Sequence, residues 1–154
     1  MRQIGGSGDD AASAITLDPQ GNCYITGGFE DEVRFSRSIT LSSAGLVDAF
    51  VAKLDNTGRT VWAQRSGGPN MDIGYGVGLD PQGNVIVSGG FNGTESFASE
   101  MRLHAAFRSR KGTHTGIFNG KGLKSVGGSD VFVAKYDQRS HLIWVRTFGG
   151  NKIG

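Results

Sequence analysis

Apolar residues run through this chain in short stretches broken by turn-forming ones, and the stretches come in matched pairs. "SAITLD" at 13–18 and "YGVGLD" at 75–80 are each followed by "PQGN", in which proline presets the first turn dihedral and Gly-Asn offers the positive-φ positions of a tight hairpin. A strand is predicted to end there and a second to begin, as "CYITGGF" at 23–29 and "VIVSGGF" at 85–91. A third pair follows, "AFVAKLD" at 49–55 and "VFVAKYD" at 131–137, and then a fourth, "TVWAQRS" at 60–66 and "LIWVRTF" at 142–148. "NTG" and "QRS" turn the third into the fourth. Apolar residues lie on both faces, Phe50 and Ala52 on one and Val51 on the other, a pattern that predicts sheets covered on both sides.

The pairs define a repeat. "GG" at 5 and 6 recurs at 67 and 68 and at 149 and 150, bounding one unit at 5–66 and another at 67–148, with 1–4 closing a preceding unit and 149–154 opening a third. With residues 104–123 set aside, the two units align without a further gap and share 23 of 62 positions, among them Asp10/Asp72, Phe29/Phe91, Phe35/Phe97, Asp48/Asp130 and Trp62/Trp144. Four antiparallel strands per unit, each sheet packed between its neighbours, is the construction of a β-propeller blade; a tandem sandwich is the competing geometry. Two blades leave two broad faces without a neighbour, so the chain is expected to be part of a larger ring. Further blades in the same chain, or a homo-oligomer, would complete it.

Composition agrees with many tight turns. Glycine contributes 26 of 154 residues, a density that disfavours long helices. The formal charge of +2 is too small to imply nucleic acid as a partner of the whole chain, and no apolar run is long enough for membrane insertion. Cys23 is the single cysteine and reads as a small buried hydrophobe.

The stretch "GGSGDDAASAITLDPQGNCYITGGF", then Phe35, "DAFVAKLDNTG" and "VWAQRSGG", resembles the SBBP repeat family of seven-bladed β-propellers. Unit two departs from the pattern at Ser140, where that family places a turn glycine, and in its insertion. The resemblance implies modules of bacterial secreted or cell-surface proteins, so an extracellular or cell-surface location is expected, and it is almost silent as to activity.

The residues themselves offer little catalytic chemistry. "GGSGDD" lacks the preceding strand, following helix and Lys of a phosphate loop and reads as an inter-blade turn. Asp18 and Asp80 each stand alone, as turn caps rather than calcium ligands. Glu30, Asp31 and Glu32 read as a solvated acidic loop, and His104 and His114 lack further ligands for zinc. Trp62 and Trp144 are assigned to blade packing; Asp48, Asp130, Lys53 and Lys135 to turns or rim contacts. No catalytic, metal or cofactor site is therefore assigned.

What the repeat leaves unexplained is the insertion, placed at about 98–123. Residues 104–123 carry Arg108, Arg110, Lys111 and Lys121 and no acid, a charge of +4 against −2 for the rest. If "FNGKGLKSVGGSD" belongs to the repeat's own loop, the inserted stretch moves back to about 98–117, and "SEMRLHAAFRSRKG" then reads as a short helix, capped by Ser99 and closed by Gly112. Arg102, Arg108, Arg110, Lys111 and Lys121 are the candidate binding residues, for an acidic protein surface or an anionic glycan. The reading from sequence is an all-β, non-catalytic propeller scaffold presenting a binding surface. An accessory propeller of an enzyme encoded elsewhere and a plain spacer are the alternatives.

Overall fold

The computed structural model describes residues 3–92, 102–105 and 128–149. Two four-stranded meanders dominate it. In the first blade, β2 (Asp10–Leu17), β3 (Cys23–Phe29), β6 (Asp48–Leu54) and β7 (Thr60–Gly67) pair antiparallel in that order. In the second, β8 (Asp72–Leu79), β9 (Val85–Asn92), β11 (Ser129–Tyr136) and β12 (Leu142–Phe148) repeat the arrangement. The remaining elements are a two-residue strand β1 (Gly5–Gly6), a small hairpin of β4 (Glu32–Arg34) and β5 (Thr40–Ser42), and β10 (Arg102–Ala105). Every described element is a strand, as the repeat predicts.

Four hairpins at one rim share one turn. The backbone N–H groups of Gly21, Gly58, Gly83 and Ser140 donate to the carbonyls of Asp18, Asp55, Asp80 and Asp137, and these four donor residues have φ between 71° and 81°. This is a type I turn followed by a left-handed residue. Only the glycine of each "PQGN" takes positive φ; Asn22 and Asn84, expected to share that role, do not. They instead return their side-chain amides to Asp18 and Asp80 at 2.7 and 2.8 Å.

The inner strands are longer than the alternation suggested. Both β2 and β8 begin at the Asp of the repeat, because a bulge at Ala12–Ala14, matched at Gly74–Gly76, carries the pairing past the break in the pattern.

Two apolar clusters hold the blades. The first lies between them, where Tyr24, Ala49, Val51 and the flank of Trp62 on blade one meet Val85, Val87, Phe91, Phe132, Ala134 and Tyr136 of blade two. The second covers the opposite face of blade one, where Phe29, Phe50, Ala52 and Ala63 pack with Val33, Phe35 and Leu41 of the β4–β5 hairpin. Covered on both faces, blade one matches the prediction made from Phe50, Ala52 and Val51. Blade two is covered on one face only by described residues, and its Tyr75, Val131, Ile143 and Phe148 are exposed by 50–61%.

The predicted helix at 99–112 is not formed where it is described: Arg102–Ala105 is strand β10, antiparallel to β7. The edge of β7 offers these residues a ladder of backbone partners, and tertiary pairing outweighs a weak local helical preference. Arg102 stands opposite Gly67 as Arg34 stands opposite Gly5, so the backbone matches Arg34 with Arg102, whereas the ungapped comparison matched it with Ser96.

Candidate functional site

The aspartates of the hairpin rim are structural. Asp18 Oδ1 accepts from the backbone N–H of Gln20 and Asn22 at 3.0 and 2.9 Å, and Asp80 does the same with Gln82 and Asn84. Asp55 and Asp137 repeat it at the second hairpin of each blade. Burial acts to raise the Asp18 and Asp137 carboxyls, but their hydrogen bonds together bring both below the usual carboxylate range. Asp55 is lowered first by the Thr57 hydroxyl, and Asp80 falls furthest, chiefly through Lys135. The expected capping role of Asp18 and Asp80 is thus observed in full.

Lys53 and Lys135, equivalent in the repeat, diverge in use. The Lys135 ammonium reaches Asp80 at 2.6 Å. Lys53 instead lies over the Tyr24 ring, 5.2 Å from its centroid, and the Tyr24 hydroxyl donates to Asp18 at 3.3 Å. Trp62 packs edge-on against Tyr24 and donates through Nε1 to the Gln138 carbonyl of blade two, so it belongs to the inter-blade seam. Cys23 is only partly buried.

The opposite rim holds the charged residues that the sequence did not reveal. Asp48, expected to fix a turn or a rim contact, is wholly buried and forms an ion pair with Arg65 at 2.8 Å. Its Oδ2 also accepts from the Ala44 N–H at 2.9 Å. Asp72 is 2% exposed and accepts from the Gly68 N–H at 2.6 Å. Burial pushes both carboxyls up to about 6; the Arg65 guanidinium opposes the shift in each, and the Asp72 charge adds to it at Asp48. The one signal in the sequence was Arg65 itself, a cation alternating with Ala63 on a strand whose two faces were both expected to be covered.

"GGSGDD" needs correction. Its first two glycines form strand β1 rather than part of a turn, and the bend follows at Ser7 and Gly8. A Cβ on Gly6 would collide with the carbonyl of Glu32, which is why glycine stands there. The acidic stretch 30–32 is exposed or half-buried, but Glu32 opens β4.

Beside the open face of blade two runs a shallow groove of about 300 Å³ along β8, β9 and β11, walled by Met71, Tyr75, Gly90, Asp130 and Val131. Its lining is mostly apolar and brings no nucleophile and base together. Among the described residues, no three His, Cys, Asp or Glu side chains gather to hold a metal, and no helix is long and apolar enough to cross a membrane. Of the candidate binding residues, Arg102 lies in β10 at the outer edge of blade one. Arg108, Arg110, Lys111 and Lys121 lie outside the described residues, as do His104's side chain and His114.

Comparison with known proteins agrees with this architecture. The family model of the SBBP β-propeller repeat matches residues 1–27. An uncharacterized WD repeat-containing protein of Acanthamoeba polyphaga mimivirus is 25% identical over 139 residues, covering 84% of this chain and 9% of that protein. The chain spans less than a tenth of that relative's length.

Proposed function

We propose that this chain is a non-catalytic propeller scaffold whose basic segment, about 98–123, binds an anionic glycan or an acidic protein surface. Propeller repeats supply the scaffold. The observation that carries the binding role is charge segregation joined to position. Residues 104–123 hold +4 against −2 for the rest of the chain, and strand β10 ties the start of this segment to the outer edge of blade one. The buried carboxylates Asp48 and Asp72 bind Arg65 and backbone N–H groups of their own rim, so their work is accounted for by folding.

A glycan and phosphopeptide array at low and moderate salt tests the reading. Binding should weaken steeply as salt screens it, and should be lost in the variant carrying Arg108→Ala, Arg110→Ala and Lys111→Ala. Binding that persists in that variant, or that ignores salt, would overturn it.

A further inference from the structure

Three equivalent places in the repeat, marked by Gly5, Gly67 and Gly149, end differently. At the first, β4 covers β1, with Gly5 opposite Arg34 and Gly6 opposite Val33. At the second, β10 covers β7, with Gly67 opposite Arg102 and Gln64 opposite Ala105. In sequence, each covering strand comes after the second strand of the following unit. Each also belongs to the same run of residue types: Glu-Val-Arg-Phe at 32–35 and Glu-Met-Arg-Leu at 100–103. A unit therefore hands one strand back to the outer edge of the blade before it.

At the third place nothing comparable is present among the described residues. Strand β12 is the edge of its sheet. Arg146, Thr147, Phe148 and Gly149 are exposed, whereas their counterparts Gln64, Arg65, Ser66 and Gly67 are buried. Phe148 is 58% exposed and its counterpart Ser66 is 5% exposed, but Ser66 lies against Tyr136 and Gln64 against Ser140 of blade two, so this difference reports the face that a neighbouring blade covers; the edge itself is marked by β12 having no outer partner among the described residues.

We propose that the outer edge of β12 at Arg146–Gly149 accepts one antiparallel strand of the Glu–apolar–Arg–apolar kind, supplied by the loop of a following repeat. An open edge presents unpaired N–H and C=O groups, and an added strand satisfies them while alternate side chains set the register. In the donor already seated, the buried side chain is the apolar one: Val33 is 1% exposed, while Glu32 and Arg34 face out. At the first place a Cβ on Gly6 would collide with the Glu32 carbonyl of the covering strand, and the sequence keeps glycine at the equivalent positions 68 and 150. The donor is a following repeat because both seated strands come from the next unit in sequence, at the same register to the repeat glycine. The inference rests on reading the chain as propeller repeats and is separate from anion binding by the basic segment.

The test uses the whole chain, isotopically labelled, and a synthetic peptide of residues 30–37 as donor. At saturating peptide, amide exchange at 146–149 should slow on the order of tenfold or more. A peptide carrying Val33→Pro should leave it unchanged, because proline removes an N–H and breaks the ladder. Unchanged exchange with the native peptide, or equal slowing with both peptides, would overturn the proposal. So would protection that exists without peptide and vanishes on dilution, which would mean that a second copy covers the edge. Because the readout is confined to β12, its failure leaves the basic segment's role standing, and loss of anion binding leaves this result untouched.

Discussion

The Arg65 guanidinium lies 2.8 Å from the Asp48 carboxylate with both side chains removed from water, at 7% and 0% exposure. Asp48 Oδ1 has no hydrogen-bond partner among the described residues. Replacing the cation leaves a buried charge uncompensated, so Arg65→Leu should lower stability by about 3–5 kcal/mol in denaturant unfolding. Adding Asp48→Asn to that variant should recover part of the loss, because the orphaned charge is then gone. A single-variant loss below about 1 kcal/mol would show that the pair behaves as a solvated one.

The same carboxylates give stability an inverted pH dependence near neutrality. Burial holds the Asp48 and Asp72 carboxyls up at about 6 in the folded chain, above the ordinary aspartate value of 3.8. The folded state therefore holds more protons between those values, and the stability linked to them is present below about 4 and lost as pH rises through 6. Lowering the pH from 7 to 5 should add about 2–3 kcal/mol for the two carboxyls together. Below about 4 the trend should reverse, as Asp18, Asp55, Asp80 and Asp137, all lowered on folding, become protonated. Melting curves across pH check this, and Asp72→Asn should flatten the upper limb.

Ser140 adopts φ 71° where the three other hairpins use glycine. Its hydroxyl accepts from the Gln64 amide at 2.8 Å and its carbonyl from the same amide at 3.3 Å, tying the blades together. Ser140→Ala keeps the strain and loses the hydroxyl contact, and should cost about 1–2 kcal/mol. Ser140→Gly loses the contact but relieves about 1 kcal/mol of left-handed strain, and should be close to neutral in thermal unfolding. Equal effects of the two substitutions would remove strain from the account.

Gly74 and Gly78 lie on one strand and should answer alanine differently. A Cβ at Gly74 would strike the Thr26 hydroxyl across the blade interface, whereas one at Gly78 meets nothing within 4 Å. Gly74→Ala should cost about 1–3 kcal/mol by overpacking. Gly78→Ala should be neutral or stabilise by about 0.5 kcal/mol, since alanine loses less chain entropy on folding. The difference in urea midpoint between the two is the measurement.

The strands were legible because local chemistry marks their ends: an Asp, two turn residues and a glycine are enough to stop one strand and start the next. The break at Ala12–Ala14 hid the first part of β2, since a bulge shifts the side-chain alternation by one residue. Strand β10 was hidden for another reason. Its partner β7 lies more than thirty residues back in the chain, and nothing local in "MRLHAA" distinguishes a helix turn from an edge strand. The Asp48–Arg65 pair was half visible: an aspartate before an apolar strand reads as a turn residue, and only the inward position of Arg65 argued for a buried partner. The basic segment stands out by charge alone, which identifies a class of ligand and no geometry.

Each rim aspartate holds its hairpin through main-chain N–H groups, so the turn itself asks little of most side chains between Asp and the left-handed position, Thr57 on Asp55 and Gln138 on the Gln82 carbonyl being the main exceptions. Those places hold Pro19 and Gln20, Asn56 and Thr57, Pro81 and Gln82, and Gln138 and Arg139, all exposed. At the opposite rim a side chain on Gly6 or Gly67 would strike Glu32 or Asp48. One end of the molecule is therefore more open to evolutionary drift than the other, and new recognition chemistry can be written at Pro19, Gln20, Pro81 and Gln82 with little cost to folding, while Thr57 and Gln138 carry side-chain contacts of their own.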